Sequence, residues 1–321
     1  MYNRQSIVLL TLLLLSAQLS CSVFEASKEI PQENTVERII IIPDLQYYTN
    51  DEGRYKYLES IIGFLKEETE SKNPICIQVG DLTYQNSLEQ WNIVDSLFLS
   101  NIPNSMPFVY CLGNHDYGIN GRSSERISNI PESLYPVRDI VMTGDVLENY
   151  ARFFDFAGGK CAVLVLEFAP RDIALDWAND VIRAYHDIPF IILTHAFLNN
   201  EGELFDSSNP DCDNTFSQKS YRLGGDCLND SMEIFNKIIA KNDNVRMVIC
   251  GHCVSKKYIE YKTIKNAKDE DVHCIMVNYQ HFPEGGRGNI GLLDYYKGRF
   301  ILRPYSTYNK KFGDVLFQFF F

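Results

Sequence analysis

Five apolar runs in this chain each hand over to a residue that can hold a metal ion. Ile39–Ile42 leads to Asp44, Ile75–Val79 to Asp81, and Phe108–Leu112 to Asn114; Phe190–Leu193 leads to His195 and Val245–Cys250 to His252. A single polar residue after a strand is an ordinary turn. Five of them, on elements that can converge, make a site, because open α/β sheets collect their ligands at the carboxyl ends of strands. Carboxylate and amide oxygens favour Mg, Mn or iron, while imidazoles also admit Zn. Two such ions about 3.5–4 Å apart can share a carboxylate and polarise a phosphoryl oxygen. His115 has a different part. With Asn114 directed to the metal, the adjacent imidazole is left to protonate a leaving oxygen. Gly113 before them permits a turn that a side chain with a Cβ would resist.

The elements that must position these groups follow from periodicity. Leu58, Ile61, Ile62 and Leu65 recur at helical spacing, which predicts an amphipathic helix over 54–70. Ser87 with Gln90 can close a capping box and open a helix running to Phe98. Helices are also expected over Ile173–Ala184 and Met232–Ala240, and strands over Cys161–Leu166, Cys274–Asn278, Phe300–Arg303 and Val315–Phe321. Strand and helix signals alternate through the first two-thirds of the chain, so the class is α/β, a sheet fed by crossovers with helices outside. Gly118–Asn149 and Asn199–Asp226 lack periodicity and read as long surface loops that shape the pocket.

With 321 residues, 45% of them hydrophobic and 13% aromatic, the chain can fill a large core. A net charge of −12 argues against a nucleic-acid partner, since phosphate backbones are held by a surplus of Lys and Arg. Residues 1–20 read as a secretory signal, with Arg4 ahead of an apolar run too short to span a bilayer. Cys21 follows where a lipobox would place it, although Gln18 and Leu19 depart from the usual pattern. The protein is therefore expected to be exported and lipid-anchored at Cys21 in the cell envelope, periplasmic or outer-membrane; an ordinary cleavage site is the alternative. Residues 21–36 would be a tether and 37–321 the domain. Cys76, Cys111, Cys161 and Cys250 sit in apolar runs as buried thiols. Cys212 and Cys227, flanking a polar segment, are the expected disulfide.

The motif order D-x-Q, G-D, G-N-H-D, T-H and G-H resembles the calcineurin-like metallophosphoesterase superfamily. Asp81 follows Asp44 by 37 residues and Asn114 follows Asp81 by 33, spacings that agree with that family. Pro43–Tyr48, Leu166–Asp172, Asn278-Tyr279-Gln280 and Gly285–Gly288 resemble a bacterial branch whose first motif is P-D-x-Q-Y-Y. The resemblance implies a four-layer α/β/β/α sandwich with two mixed sheets. It implies two divalent ions (Mn, Fe, Zn or Mg) and hydrolysis of a phosphomonoester or phosphodiester by a metal-bound hydroxide. Small-molecule, lipid or sugar phosphoesters are the expected substrates. By position, Asp81 matches the carboxylate shared by both metals, Asn114, His195 and His252 the second metal's ligands, Asp44 a ligand of the first, and His115 the leaving-group histidine.

Two positions depart from the family pattern. Gln46 stands where the first motif carries His, and Val254 where the last motif carries a second His. Both belong to the first metal, so that half should be oxygen-rich and weaker, with Gln280 or His281 available to complete it. A binding lipoprotein that kept the fold without turnover is the alternative function. Cys250-Gly251-His252-Cys253 has the spacing of a disulfide-exchange motif, but Cys250 ends a strand rather than opening a helix, which argues against redox chemistry. Glu167 is expected to pair with Arg171. Arg171, Arg222 and Arg287 are candidate phosphate clamps with surface ion pairs as the plainer reading, Tyr47 and Tyr48 line either pocket or core, and His186 and His273 are expected to be solvated.

Overall fold

Four consecutive isoleucines show how the layers form. In β1 (Glu37–Ile42) successive side chains point to opposite faces of the strand. Ile39 and Ile41 enter one core together with Ile77, Val163, Ile191 and Ile249. Ile40 and Ile42 enter another with Leu58, Ile61 and Leu65 of an amphipathic helix. Both faces are covered, which is why this strand reads as a continuous apolar run instead of alternating.

The computed structural model describes residues 36–68, 74–118, 126–144, 147–221, 223–225 and 227–320, and the compact unit begins at Val36. The signal, anchor and tether readings for 1–35, and Arg222, lie outside the described residues. The helices are α1 (Gln46–Thr49), α2 (Tyr55–Glu68), α3 (Leu88–Leu97), α4 (Asp172–Ala184) and α5 (Ser231–Lys237). After β1 come β2 (Ile75–Gln78), β3 (Phe108–Tyr110), β4 (Ile140–Val141), β5 (Tyr150–Phe156), β6 (Gly159–Val165) and β7 (Phe190–Leu193). Then follow β8 (Val245–Cys250), β9 (Ile259–Lys265), β10 (Asp271–Val277), β11 (Asn289–Tyr296), β12 (Arg299–Ser306), β13 (Lys311–Phe312) and β14 (Phe317–Phe320).

The described strands form two seven-stranded mixed sheets, β13-β12-β11-β1-β2-β3 with β14 also on β12, and β4-β5-β6-β7-β8-β10-β9. β1, β2 and β3 are parallel in the first sheet, as are β6, β7, β8 and β10 in the second. Apolar side chains from both sheets fill the space between them. α2 covers the outer face of the first sheet, while Leu175, Ala178 and Ile182 of α4 and Ile234 of α5 cover Leu164, Ile192 and Val248 of the second. This is the α/β/β/α sandwich with two mixed sheets.

Several local expectations are corrected. Ser87 caps α3 through the Gln90 amide N–H at 3.2 Å, but the Gln90 side chain does not close the box; its oxygen accepts from the Tyr84 and Gln85 N–H groups at 3.1 and 2.7 Å. A reciprocal capping box forms instead at α5, between Asp230 and Glu233. β5, β9 and β11 carry charges among their apolar residues and are not signalled as apolar runs. In β11 the charge is Asp294, buried between Arg38 and Arg303. Cys212 and Cys227 are free: the Cys212 thiol donates to the Leu204 carbonyl at 3.4 Å, and Cys227 is exposed in a left-handed conformation. His186 is exposed as expected, but His273 is buried, because β14 folds over β10 and stacks Phe319 on the imidazole at 3.9 Å between ring centroids.

Candidate metal centre

Three of the motif glycines make room for a ligand from another strand. A Cβ on Gly80 would collide with the His195 ring, one on Gly113 with the Asp81 carboxylate, and one on Gly251 with Asp44. Each glycine precedes a ligand candidate, so the G-D, G-N and G-H pairs interlock around one point. Gln78 fastens the first of these turns: its amide donates to the Gly80 carbonyl at 2.7 Å and accepts from the Gly80 N–H at 2.9 Å. Asp81 (φ 54°) and His252 (φ 68°) both adopt the left-handed region, where non-glycine residues are uncommon and backbone strain accompanies function. Asp116 ties the second and third turns together, accepting from the Leu82, Thr83 and Gly113 N–H groups, which makes it a brace and not a ligand.

Asp81, Asn114, His195 and His252 come together. His195 Nε2 lies 3.3 Å from Asp81 Oδ2, 3.2 Å from Asn114 Oδ1 and 3.1 Å from His252 Nδ1. The ligand atoms of Asp81, His195 and His252 all lie within 4.8 Å of one another, and all three residues are buried. Backbone carbonyls fix both imidazoles. A carbonyl can only accept, so His195 Nδ1–H donates to Val79 at 2.7 Å and His252 Nε2–H donates to Phe216 at 2.9 Å. The remaining nitrogen of each neutral ring then points a lone pair at the others, as second-shell carbonyls arrange for metal-binding histidines. With both rings neutral, four electron-pair donors face one another. Such a set fits a cation.

Charge follows the same logic. Burial alone would depress the His195 imidazole, but the Asp81 carboxylate beside it prevails and carries it up to about 9. Burial would raise Asp81, yet His195 and His115 hold it well below the usual carboxylate range. His252, buried and next to His195, is pushed down to about 3. Without a metal, Asp81 therefore draws His195 toward its protonated form, a proton standing where a cation would sit.

The other half differs. Asp44 is buried but lies outside the tight cluster; its Oδ2 accepts from Asn278 Nδ2 at 2.7 Å and its Oδ1 from the His252 N–H at 3.3 Å. Burial, the largest influence, raises its carboxyl to about 7. Gln46 donates Nε2 to Asp81 Oδ2 at 3.1 Å and also to the Gln280 side-chain oxygen. Its own Oε1 is buried without a hydrogen-bond partner, an orphaned acceptor that a cation would satisfy. Gln280 in turn donates to the His252 carbonyl at 3.0 Å.

The sequence model of the calcineurin-like phosphoesterase family matches residues 37–255. The chain belongs to this family. A Bacillus subtilis protein, uncharacterized protein YvnB, is 23% identical over 291 residues, 88% of this chain and 21% of that one. This chain therefore spans about a fifth of the length of that curated relative. Among solved structures, purple acid phosphatase PPD1 from yellow lupin (Lupinus luteus) is similar in fold, with a TM-score of 0.51 at 13% identity, covering 90% of this chain and 54% of that one. GAP50, the anchor in the inner membrane complex of Plasmodium, aligns with a TM-score of 0.49 at 11% identity, over 89% of this chain and 88% of that one.

In this member of the family the cluster opens into a cavity of about 380 Å³. His115 lines it: the His115 N–H donates to Asp81 Oδ1 at 2.9 Å and the ring Nδ1–H to the Tyr84 carbonyl at 2.7 Å, leaving Nε2 for the cavity. Tyr47, Phe216, Tyr221, Val254, Gln280 and His281 also line it. Tyr48 is instead core, its hydroxyl accepting from the Gly288 N–H at 2.9 Å. Arg171 and Arg287 are not clamps. Arg171 pairs with buried Glu167 at 2.6 Å, and Arg287 pairs with Glu284 at 2.8 Å. Cys250 and Cys253 are buried free thiols, and burial pushes Cys250 up to about 12, which removes the reactive thiolate. Phe216 and Tyr221 are not signalled by the sequence because their loop has no period; Asn199–Asp226 carries three aromatics, Phe205, Phe216 and Tyr221, and nothing in their spacing marks the two that line the cavity.

Proposed function

We propose that this protein is a metal-dependent phosphoesterase. The observation that supports it best is the convergence of four lone pairs from Asp81, Asn114, His195 and His252 beside His115, at the floor of one cavity. These four would hold one divalent ion, and Asp44 together with Gln46, whose amide donates to Asp81 Oδ2, would contribute to a second. Ions bound there supply Lewis-acid polarisation of the phosphoryl group and of the attacking water. The chain's own residues do the rest. Asp81, held by the His115 N–H and the Gln46 amide, keeps both halves in register. His115, its ring fixed by the Tyr84 carbonyl, carries a proton on Nε2 and delivers it to the leaving oxygen.

The test is hydrolysis of an aryl phosphomonoester and an aryl phosphodiester across Mg, Mn, Zn and Fe, by wild type and Asp81→Asn. Metal-dependent turnover that disappears in the variant is expected. A folded, metal-loaded protein that turns over neither ester would instead support a binding lipoprotein on the same fold, a reading favoured only by Gln46 and Val254 standing in place of histidines. Export and lipid anchoring at Cys21 are part of the same proposal; Cys21→Ser should move the protein from the membrane fraction to the soluble one, and an unchanged distribution would refute the anchor.

A further inference from the structure

Each imidazole of the cluster is tied to one carbonyl, that of Val79 or that of Phe216. One such bond sets the tautomer but leaves the ring room to tilt, because the outer torsion of a histidine is broad. Packing must supply the rest, and Phe168 supplies it. Its fully buried ring lies 5.6 Å from that of His195 at 63°, and 5.4 Å from that of His252 at 52°. It also meets Tyr221, which lines the cavity, at 5.2 Å and 84°. One phenyl ring therefore bears on both imidazoles at once.

Phe168 owes its place to an irregular turn. After β6 ends at Val165, the chain passes through Phe168 into Ala169, a residue with a Cβ in the left-handed region (φ 50°). Such a conformation costs free energy and persists only where its surroundings hold it. Arg126 holds this one. Its Nη1 donates to the Phe168 carbonyl at 3.1 Å, its Nη2 to the Ala169 carbonyl at 2.6 Å and its Nε to the Gly224 carbonyl at 2.7 Å. The Glu167 and Glu148 carboxylates lie 3.5 and 3.7 Å from the same Nη1. A planar guanidinium presents a rigid fork that can serve three carbonyls together, whereas an ammonium is a compact point charge. The Arg126 side chain is only 9% exposed, so its loss would leave carbonyls without a donor in a buried place. Arg126 lines no part of the metal cavity; its contact with the centre runs through that turn.

We infer that Arg126 is a positioning residue of the metal centre: by holding the Phe168–Ala169 turn it seats the Phe168 ring against His195 and His252, and so sets the angle at which their free nitrogens meet a cation. The inference rests on the metal centre proposed above and needs no turnover. The test titrates Zn and Co into the metal-free full chain, reading affinity by calorimetry and coordination geometry by Co absorption. Loss of a group that orients metal ligands typically costs about 10–100-fold in affinity. A loss of that size is expected in Arg126→Ala and in Phe168→Leu, with a displaced Co band in both and a smaller loss in Arg126→Lys. Arg303→Ala, which breaks the buried pair with Asp294 in the first sheet, should lower the unfolding temperature and leave affinity and spectrum as in wild type. Unchanged affinity and spectrum in either Arg126→Ala or Phe168→Leu would overturn the inference. An equal loss in Arg303→Ala would also overturn it, since stability alone would then explain the effect. If Arg126→Ala does not fold, Arg126→Lys takes its place, and wild-type binding there overturns the inference. A wild-type chain that binds neither ion overturns the metal centre itself.

Discussion

The two halves of the centre are made of different chemistry. On the side of Asn114, His195 and His252, the potential ligand atoms face one another and the second nitrogen of each imidazole is tied to a carbonyl, so both rings are fixed before a cation arrives. On the side of Asp44, Gln46 and Gln280, the groups partly satisfy one another: Asn278 occupies Asp44, and Gln280 accepts from Gln46. Val254 adds no ligand atom there. Preorganisation, more than the number of polar residues, separates a site that can hold an ion by itself from one that must be reshaped to do so.

The largest effect should come from the residue joining the halves. Asp81→Asn keeps the left-handed backbone, which Asn tolerates, yet removes the shared charge; kcat should fall by about 10³-fold or more while thermal unfolding stays cooperative. If turnover survives, the two halves do not work through Asp81. His115→Ala keeps the backbone N–H that holds Asp81 and removes only a ring bonded to the Tyr84 carbonyl, so metal content should be unchanged. Turnover should still drop by about 10²–10⁴-fold, most for poor leaving groups, in a leaving-group series. Val254→His should make the halves alike. Calorimetric titration of wild type should show one tight and one weak ion, and the variant should tighten the weak one by about tenfold or more. Two equally tight ions in wild type would erase the distinction.

The smallest effect tests what burial does to a histidine without a carboxylate in contact. His195 goes up beside Asp81, whereas His273, stacked on Phe319 with Tyr261 donating to its Nδ1, is held by burial down at about 4 despite Asp271. A group depressed in the folded state contributes stability that is complete above its ordinary value near 6.5 and is lost as pH falls toward 4. His273→Phe should flatten the stability profile in that window by about 2–3 kcal/mol, measured by denaturant unfolding at each pH. An unchanged slope would mean that buried carboxylates alone set the acid limb.

How much could be read in advance follows from where each residue sits. Ile39–Ile42, Phe190–Leu193 and Met247–Cys250 are buried on both faces, so their runs are continuous and the residues after them stand out. The edge strand β9 alternates Tyr261, Thr263 and Lys265 with residues of mixed character and gives no such run. Chain order reveals that Asp81 and His195 follow strands, but not that Gly80 must be bare for His195 to fit, nor that His252 holds Phe216. Those are relations between segments more than a hundred or a few dozen residues apart, set by how the sheets pack. The expected disulfide failed for the same reason, since loop composition does not say where two thiols point.

Because Asp44, Asp81 and Asn114 leave the first sheet while His195 and His252 leave the second, neither sheet alone carries a usable pocket for a cation. The Val79–His195 contact closes a span of 116 residues, a slow event for a chain to achieve. Ion uptake should therefore lag behind secondary structure during refolding and act as a rivet set last, holding two finished plates together. A chain stalled with its sheets unassembled would stay metal-free, so stoichiometric uptake reports complete maturation and not merely collapse.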